Sequence, residues 1–119
     1  MRHLREDPRH FISTVEHLVS EMSKIQKCHL VLISLLPSLE NNHICGKTFV
    51  EANEGMKALV TKYGEKNVTF LNVSKTFMYR GQVDRTMYRD GVHMNPKGSA
   101  AYAKCIRSHL KKLPNRYFE

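Results

Sequence analysis

Residues 28–37, CHLVLISLLP, form an almost continuous apolar run that ends at Pro37. An apolar run without alternating polar residues is typical of a strand that is covered on both faces, as strands of parallel sheets are. Proline then stops the strand, because it has no N–H to donate to a neighbouring strand. The run therefore predicts a buried strand over about residues 29–35 and makes an α/β fold the first expectation.

Helical and strand-like patterns alternate on both sides of this run. Apolar residues at helical spacing predict helices over about residues 8–26, 47–63 and 96–112. The β-branched stretch NVTFLNV predicts a second strand over about residues 67–73. The segments 38–47 and 74–94 are predicted to be loops. The order helix, strand, helix, strand, loop, helix is that of an α/β protein with parallel strands.

Each predicted helix has a boundary signal and an expected inner face. Asp7 and Pro8 favour the start of the first helix, Gly64 the end of the second, and Asn95 with Pro96 the start of the third. The inner faces are expected to hold Phe11, Val15, Leu18, Val19, Met22 and Ile25 in the first helix; Phe49, Ala52, Asn53, Met56, Leu59 or Val60, and Tyr63 in the second; and Ser99, Tyr102, Ala103, Ile106 and Leu110 in the third.

Size and composition limit the classes of protein that this chain can belong to. With 119 residues, 41% of them hydrophobic and 25% charged, the chain fits one small globular domain. It contains no 18-residue apolar run, so no membrane span is expected. Its three cysteines follow no disulfide or zinc-ligand spacing, and no cofactor motif is present. These features favour a reducing, cytoplasmic location without a metal or a cofactor.

Positive charge is concentrated in the last third of the chain. Residues 75–119 contain ten Lys or Arg against three Asp or Glu, whereas residues 1–74 contain nine against eight. Five of the basic residues fall on or near the predicted third helix: Lys97, Lys104, Arg107, Lys111 and Lys112. Such a segment can attract RNA or another polyanion by Coulomb attraction. A solvated helix face with no partner is the alternative.

The segment RDGVHMNPKGSAAYA, residues 89–103, holds the candidate catalytic residues. It follows the second predicted strand, and in α/β sheets catalytic groups gather beyond the carboxyl ends of the strands. Gly91 allows a tight turn between Asp90 and His93. At this spacing the carboxylate can reach the imidazole Nδ1 and fix its tautomer. Nε2 is then left able to accept a proton from a nucleophile.

This wording resembles the last sequence block of the SGNH, or GDSL-type, hydrolases, including domains of that type in some retroelement-encoded proteins. The resemblance rests on "DGVH-x-N-x-x-G" at residues 90–98 and on the order of the preceding elements. It implies a three-layer, flavodoxin-like fold in which Asp90 orients His93 and His93 acts as general base. It also implies hydrolysis of small-molecule or acyl esters through a serine acyl-enzyme.

The chain departs from that family in its missing nucleophile. It contains no Gly-Asp-Ser segment and no Gly-x-Asn-Asp segment, which supply the serine and the oxyanion donors in the family. The stretch MRHLREDP is similar to residues that follow the second of these segments. Residues 1–119 are therefore expected to be a single partial SGNH-like domain that keeps Asp90 and His93 and is inactive alone.

Other serines and ligand-type residues give weaker alternatives. Ser34 lies in the predicted buried strand, Ser38 and Ser74 follow strand ends, and Ser99 is helical; none lies in a G-x-S-x-G elbow. A metal site from Cys28, His29, His43 and Cys45 would match no ligand spacing.

Two interpretations that do not require catalysis follow from the same sequence. The chain can be a degenerate SGNH-fold module that binds RNA or another polyanion through its basic last third, or a fragment without activity. In either case a sheet of two strands would be thin. Residues 29–35 are then expected to expose an unpaired edge that promotes self-association.

Overall fold

A computed structural model describes residues 8–25, 28–37, 42–64, 67–91 and 93–113, and it shows a mixed α/β fold. The helices are α1 (Pro8–Met22), α2 (Asn42–Tyr63) and α3 (Pro96–Leu110), and the strands are β1 (Leu30–Ile33), β2 (Val68–Leu71), β3 (Met78–Tyr79) and β4 (Gln82–Val83). None of the described helices is both long and apolar enough to cross a membrane.

The two predicted strands form a parallel pair, as their order along the chain suggested. Leu30 lies opposite Val68 and Ile33 opposite Leu71, and α2 is the connection between the two strands. Both strands are shorter than predicted, with four residues each. β1 is half-buried along its length, so it is less covered than its continuous apolar sequence indicated.

The second helix begins earlier than predicted. It starts at Asn42, so residues 42–46, which were predicted to be part of a loop, are helical. Polar residues and Gly46 conceal this start in the sequence. The end agrees with the prediction: Gly64 follows the helix with φ 90° and donates its N–H to the Val60 carbonyl at 2.8 Å. The predicted cap of the first helix, Asp7, lies outside the described residues.

One hydrophobic cluster holds α1 and α2 against the parallel strands. Its buried members are Val19 of α1, Leu59 and Val60 of α2, and Val68 of β2. The predicted inner face of α2 is confirmed, since Ala52 and Met56 are buried as well.

The predicted inner face of α1 is only partly correct. Val19 is 2% exposed, whereas Leu18, Met22 and Ile25 are 56%, 42% and 56% exposed. The helix turns one edge of its wide apolar stripe to the cluster and leaves the other edge outside. Apolar spacing identified the helix but could not tell which part of the stripe would be covered.

The predicted inner face of α3 is only partly correct, since of its five residues Tyr102 and Ile106 are half-buried as expected. Ser99, Ala103 and Leu110 are exposed, while Gly98 is buried and Cys105 and His109 are half-buried. His109 contacts Thr69 of β2. Because side chains alternate along a strand, Thr69 points away from the face on which Val68 meets α1 and α2. Helix α3 therefore contacts the opposite face of β2.

The segment 74–94, predicted to be a loop, contains short ordered elements. Two 3-10 helices, Ser74–Phe77 and Arg85–Met87, flank a small antiparallel hairpin of β3 and β4. Phe77, Val83 and Tyr88 form a second buried cluster, against which Tyr102 of α3 packs. These elements are too short to show periodicity in the sequence. These elements support the loop that carries Asp90 and His93.

Candidate active site

Asp90 and His93 contact each other through both oxygens of the carboxylate. Asp90 Oδ2 lies 2.8 Å from His93 Nδ1, and Asp90 Oδ1 accepts a hydrogen bond from the His93 backbone N–H at 2.7 Å. The second bond fixes the carboxylate relative to the backbone, and the first fixes the ring relative to the carboxylate. The structure thus brings together the two residues that the sequence singled out.

The backbone around the pair forms a tight, closed loop. Gly91 has φ 90°, a conformation in which a side chain would be strained. The Arg89 N–H donates to the His93 carbonyl at 2.8 Å, and Tyr88 pairs with Met94 in an antiparallel bridge. The ends of the loop are therefore joined, so Asp90 and His93 are held on a short ring of backbone.

Asn95 connects this loop to α3. Its side-chain oxygen accepts the Gly98 N–H at 2.9 Å, as an N-cap does, and its amide nitrogen donates to the Thr86 carbonyl at 2.8 Å. Gly98 lets the helix approach the second 3-10 helix closely. A Cβ on Gly98 would lie 2.2 Å from the Met87 carbonyl oxygen. The "N-x-x-G" part of the motif thus has a structural purpose at this helix start.

Tyr88 ties the loop to the carboxyl end of β1. Its side chain is 7% exposed, packs against the Phe77 ring at a centroid distance of 5.8 Å, and donates its hydroxyl to the Pro37 carbonyl. Pro37 lies four residues beyond Ile33, the last residue of β1. The loop that carries the candidate pair is accordingly linked through Tyr88 to the segment that follows β1.

The exposed side of the pair is the chemically available one. The side chains of His93 and Asp90 are 66% and 47% exposed. Nδ1 faces the carboxylate, and Nε2 forms no hydrogen bond with a described residue. With Asp90 accepting a hydrogen bond from Nδ1, the neutral ring carries its lone pair on Nε2. The arrangement can remove a proton from a group brought to its open side.

Two of the serines considered as nucleophiles, Ser34 and Ser74, form other hydrogen bonds. Ser34 is 4% exposed, and its hydroxyl accepts the backbone N–H groups of Val73 and Ser74 at 2.8 and 3.2 Å. It therefore links the carboxyl ends of β1 and β2. The Ser74 hydroxyl bonds to Asn72 Oδ1 at 2.5 Å. Ser99 is exposed on α3, and Ser38 lies outside the described residues.

A second group of polar side chains was not foreseen from the sequence. Thr69 Oγ1 lies 2.9 Å from His29 Nε2 and 2.7 Å from His109 Nε2, so one hydroxyl bridges two histidines. Burial, together with the positive charge that His29 and Lys112 place nearby, lowers the pKa of His109. His29 and Thr69 are 40 positions apart in the sequence, and so are Thr69 and His109. The position of Thr69 within a predicted strand was the one sequence signal that bore on this contact.

The residues considered as metal ligands do not form a site in the part of the chain that the structure describes. No group of three or more His, Cys, Asp or Glu side chains is gathered there in a way that could hold a metal ion. Cys28 and His29 are half-buried beside β1, and the side chains of His43 and Cys45 lie outside the described residues.

Comparison with known proteins finds no matching family model, no matching curated protein and no matching solved structure.

Proposed function

We propose that Asp90 and His93 are the acid–base half of an ester-hydrolysing site of the SGNH type, in a domain that the present chain contains only in part. The observation that supports this is the two-point contact of the Asp90 carboxylate with the ring and the backbone of His93. An orienting acid, a base with a free Nε2 and a position near the carboxyl end of β1 are what such a site requires.

In this proposal the nucleophile is a serine on a segment beyond the described residues. His93 Nε2 takes the proton of that serine as its oxygen attacks the ester carbonyl, and returns it to the leaving alcohol. Asp90 keeps the ring in the required tautomer and stabilises the imidazolium. In a serine protease the loss of the nucleophile costs about 10⁶ in turnover, because the triad works as a unit. The 119-residue chain should therefore be nearly silent.

The tautomer of His93 tests the acid–base assignment directly. Long-range ¹H–¹⁵N NMR at alkaline pH should show the neutral ring protonated on Nδ1 in the wild type and mainly on Nε2 in Asp90→Ala. His17, an exposed histidine of α1, provides the internal reference. A wild-type His93 ring protonated on Nε2 would contradict the proposed role of Asp90.

Ester hydrolysis tests the missing nucleophile. We expect the wild-type chain to hydrolyse p-nitrophenyl acetate no faster than His93→Ala does. His17→Ala is the control for hydrolysis by any exposed imidazole. An acyl-enzyme burst that depends on His93 would show that a serine of this chain acts as nucleophile after all.

The coding sequence upstream of Met1, read in frame, should encode Gly-Asp-Ser and Gly-x-Asn-Asp segments. Their absence there would remove the proposed completion.

A second candidate function is polyanion binding by α3. Between Gly91 and Leu113 the sequence contains no Asp or Glu. Lys97, Lys104, Arg107 and Lys111 are all exposed, and their spacing places them on one side of the helix. Binding to a generic single-stranded RNA should weaken steeply as salt is raised, because each phosphate contact releases counterions. Absence of binding at low salt would exclude this function.

A further inference from the structure

A groove runs along α3. It has a volume of about 510 Å³ and lies between the helix, the end of β2 and the first 3-10 helix. The polar residues that line it are Thr76, Lys104, Ser108, His109 and Lys112, with Leu71 among the apolar ones.

Lys104, Ser108 and Lys112 form one wall of this groove. They are spaced at i, i+4 and i+8, so their side chains follow one line along the helix and the turn behind it. Thr76 contributes a hydroxyl from the opposite wall, where its Oγ1 lies 3.4 Å from Cys105 Sγ. The groove therefore presents two ammonium groups and two hydroxyls, all of which can donate hydrogen bonds to one ligand.

The positive charge of the groove is not neutralised by the described protein. None of the described residues that line it is acidic, and neither lysine forms an ion pair with a described residue. A carboxylate three or four positions away can pair with a lysine on a helix surface, but α3 contains no Asp or Glu. Two like charges that face one concavity repel each other, and an anion between them relieves that repulsion.

His109 lies at the inner side of the groove. Its Nε2 is bonded to Thr69, which leaves Nδ1 as the ring atom that can meet a ligand. Burial, together with the positive charge that His29 and Lys112 place nearby, lowers the pKa of His109 and so favours the neutral ring in the free protein. A bound anion would offset the positive charge of Lys112 and favour protonation of the ring. Anion binding and proton uptake should therefore be linked.

We propose that this groove binds a phosphate group, either free phosphate or a phosphate monoester, with Lys104 and Lys112 on two sides of it and the hydroxyls of Ser108 and Thr76 completing the donors. This site is independent of the ester-hydrolysing site. It shares Lys104 with the polyanion surface proposed for α3, but it requires Lys112, Ser108 and Thr76 and does not require Lys97, Arg107 or Lys111.

Neighbouring lysines give a matched test of the site. Lys111 and Lys112 are both exposed and both follow the last turn of α3, but only Lys112 lines the groove. Inorganic phosphate titrated into the full chain should bind with a dissociation constant on the order of 1 mM, as expected for so small a ligand. Lys112→Ala should weaken binding about fivefold to tenfold through the loss of a charge-assisted hydrogen bond, and Lys111→Ala less than about twofold. Equal losses in the two variants, or no binding at about 10 mM phosphate, would overturn the proposal.

Further ligands test two separate points: which kind of phosphate compound binds, and whether binding is linked to protonation of His109. A nucleoside monophosphate should bind like inorganic phosphate and show the same preference for Lys112 over Lys111. If single-stranded RNA binds with equal dependence on both lysines and phosphate does not bind, the charge acts through the helix surface and the groove site is excluded.

Sulfate, whose charge does not change near neutral pH, should bind more tightly as the pH falls. His109→Gln should abolish that dependence, and its persistence in the variant would contradict the role of His109.

Discussion

Both oxygens of the Asp90 carboxylate contact His93. This contact could be predicted from the sequence because it is local: two residues three positions apart, with a glycine between them, can meet in one turn. The contacts of His29 and His109 with Thr69 could not be predicted, because each histidine is 40 positions from the threonine. The first contact depends on the pairing of β1 with β2, and the second on the packing of α3 against β2. At the scale of single residues, short sequence separation decided what could be foreseen.

The substitution Gly98→Ala has two opposing effects on stability: alanine is the better helix former, but its Cβ has no room at this position. In an open helix position Gly→Ala stabilises by about 1 kcal/mol, because alanine is the better helix former. At Gly98 the added Cβ would lie 2.2 Å from the Met87 carbonyl oxygen. We expect Gly98→Ala to lower the free energy of unfolding by about 2 kcal/mol, as overpacking in a tight contact does. Chemical denaturation followed by circular dichroism measures this.

The control for Gly98→Ala is the reverse exchange two residues later. Ala100 is exposed on α3, so Ala100→Gly should cost about 1 kcal/mol from helix propensity alone. A Gly98→Ala variant more stable than the wild type would show that α3 and the second 3-10 helix do not approach each other closely.

At the scale of elements, periodicity identified the three helices and the two parallel strands but not how they face the core. Leu18, Met22 and Ile25 continue the apolar stripe of α1, yet they are exposed. The 3-10 helices and the β3–β4 hairpin have four, three and two-plus-two residues, too few for a repeating pattern. What places these short elements is the packing of Phe77, Val83 and Tyr88, which joins residues distant in sequence.

The link between Tyr88 and Pro37 leads to a prediction about alkaline pH. Burial raises the pKa of Tyr88 to about 12, from the usual value of 10.0, with a smaller contribution from the negative charge of Asp84. Below pH 10 the hydroxyl is protonated in both the folded and the unfolded chain. Between pH 10 and 12 the unfolded chain loses the proton first, so the folded state binds more protons and its stability falls as the pH rises.

Tyr88→Phe should remove this part of the alkaline loss of stability. Near pH 7 the variant should be about 1 kcal/mol less stable than the wild type, because the hydrogen bond to the Pro37 carbonyl is lost. Tyr79→Phe is the control, since that ring is 62% exposed and makes no such bond. The free energy of unfolding is to be measured by urea denaturation from pH 8 to pH 11.5. Equal pH dependence in the two variants would mean that Tyr88 is not the group that titrates.

At the scale of the whole molecule, the free edge of β1 and the net charge have opposite effects on self-association. In the described part of the chain β1 has β2 as its one strand neighbour, and no Asp, Glu, Lys or Arg lies between Cys28 and Pro37. An uncharged strand with a free edge favours pairing with another chain. The net charge of +8 opposes this, because two copies repel each other. The sequence predicted both properties, but their balance depends on the solution.

The hydrogen bonds of β1 show which of its amides face outward. Leu30 and Ser34 donate their N–H groups towards β2, at 2.9 Å each. Backbone groups alternate in direction along a parallel strand, so Val31 and Ile33 direct theirs to the other edge. Among the described residues, Asn53 of α2 covers the end of that edge, where its side-chain oxygen accepts the Leu35 N–H at 2.8 Å. Val31 and Ile33 are thus the positions at which a second copy could pair.

Proline at two adjacent positions tests whether this edge causes self-association. Val31→Pro removes an N–H that faces outward, which an edge strand tolerates, whereas Leu32→Pro removes one that faces β2 and should unfold the sheet. We expect the wild type to associate more as salt rises, because salt screens charge repulsion over about 10 Å at 0.1 M but leaves backbone pairing intact. Val31→Pro should keep the circular dichroism of the wild type and remain monomeric in sedimentation equilibrium at high salt. A wild-type chain that stays monomeric at 0.5 M salt, with its Val31 and Ile33 amides protected from hydrogen exchange, would show that another part of the chain already covers the edge.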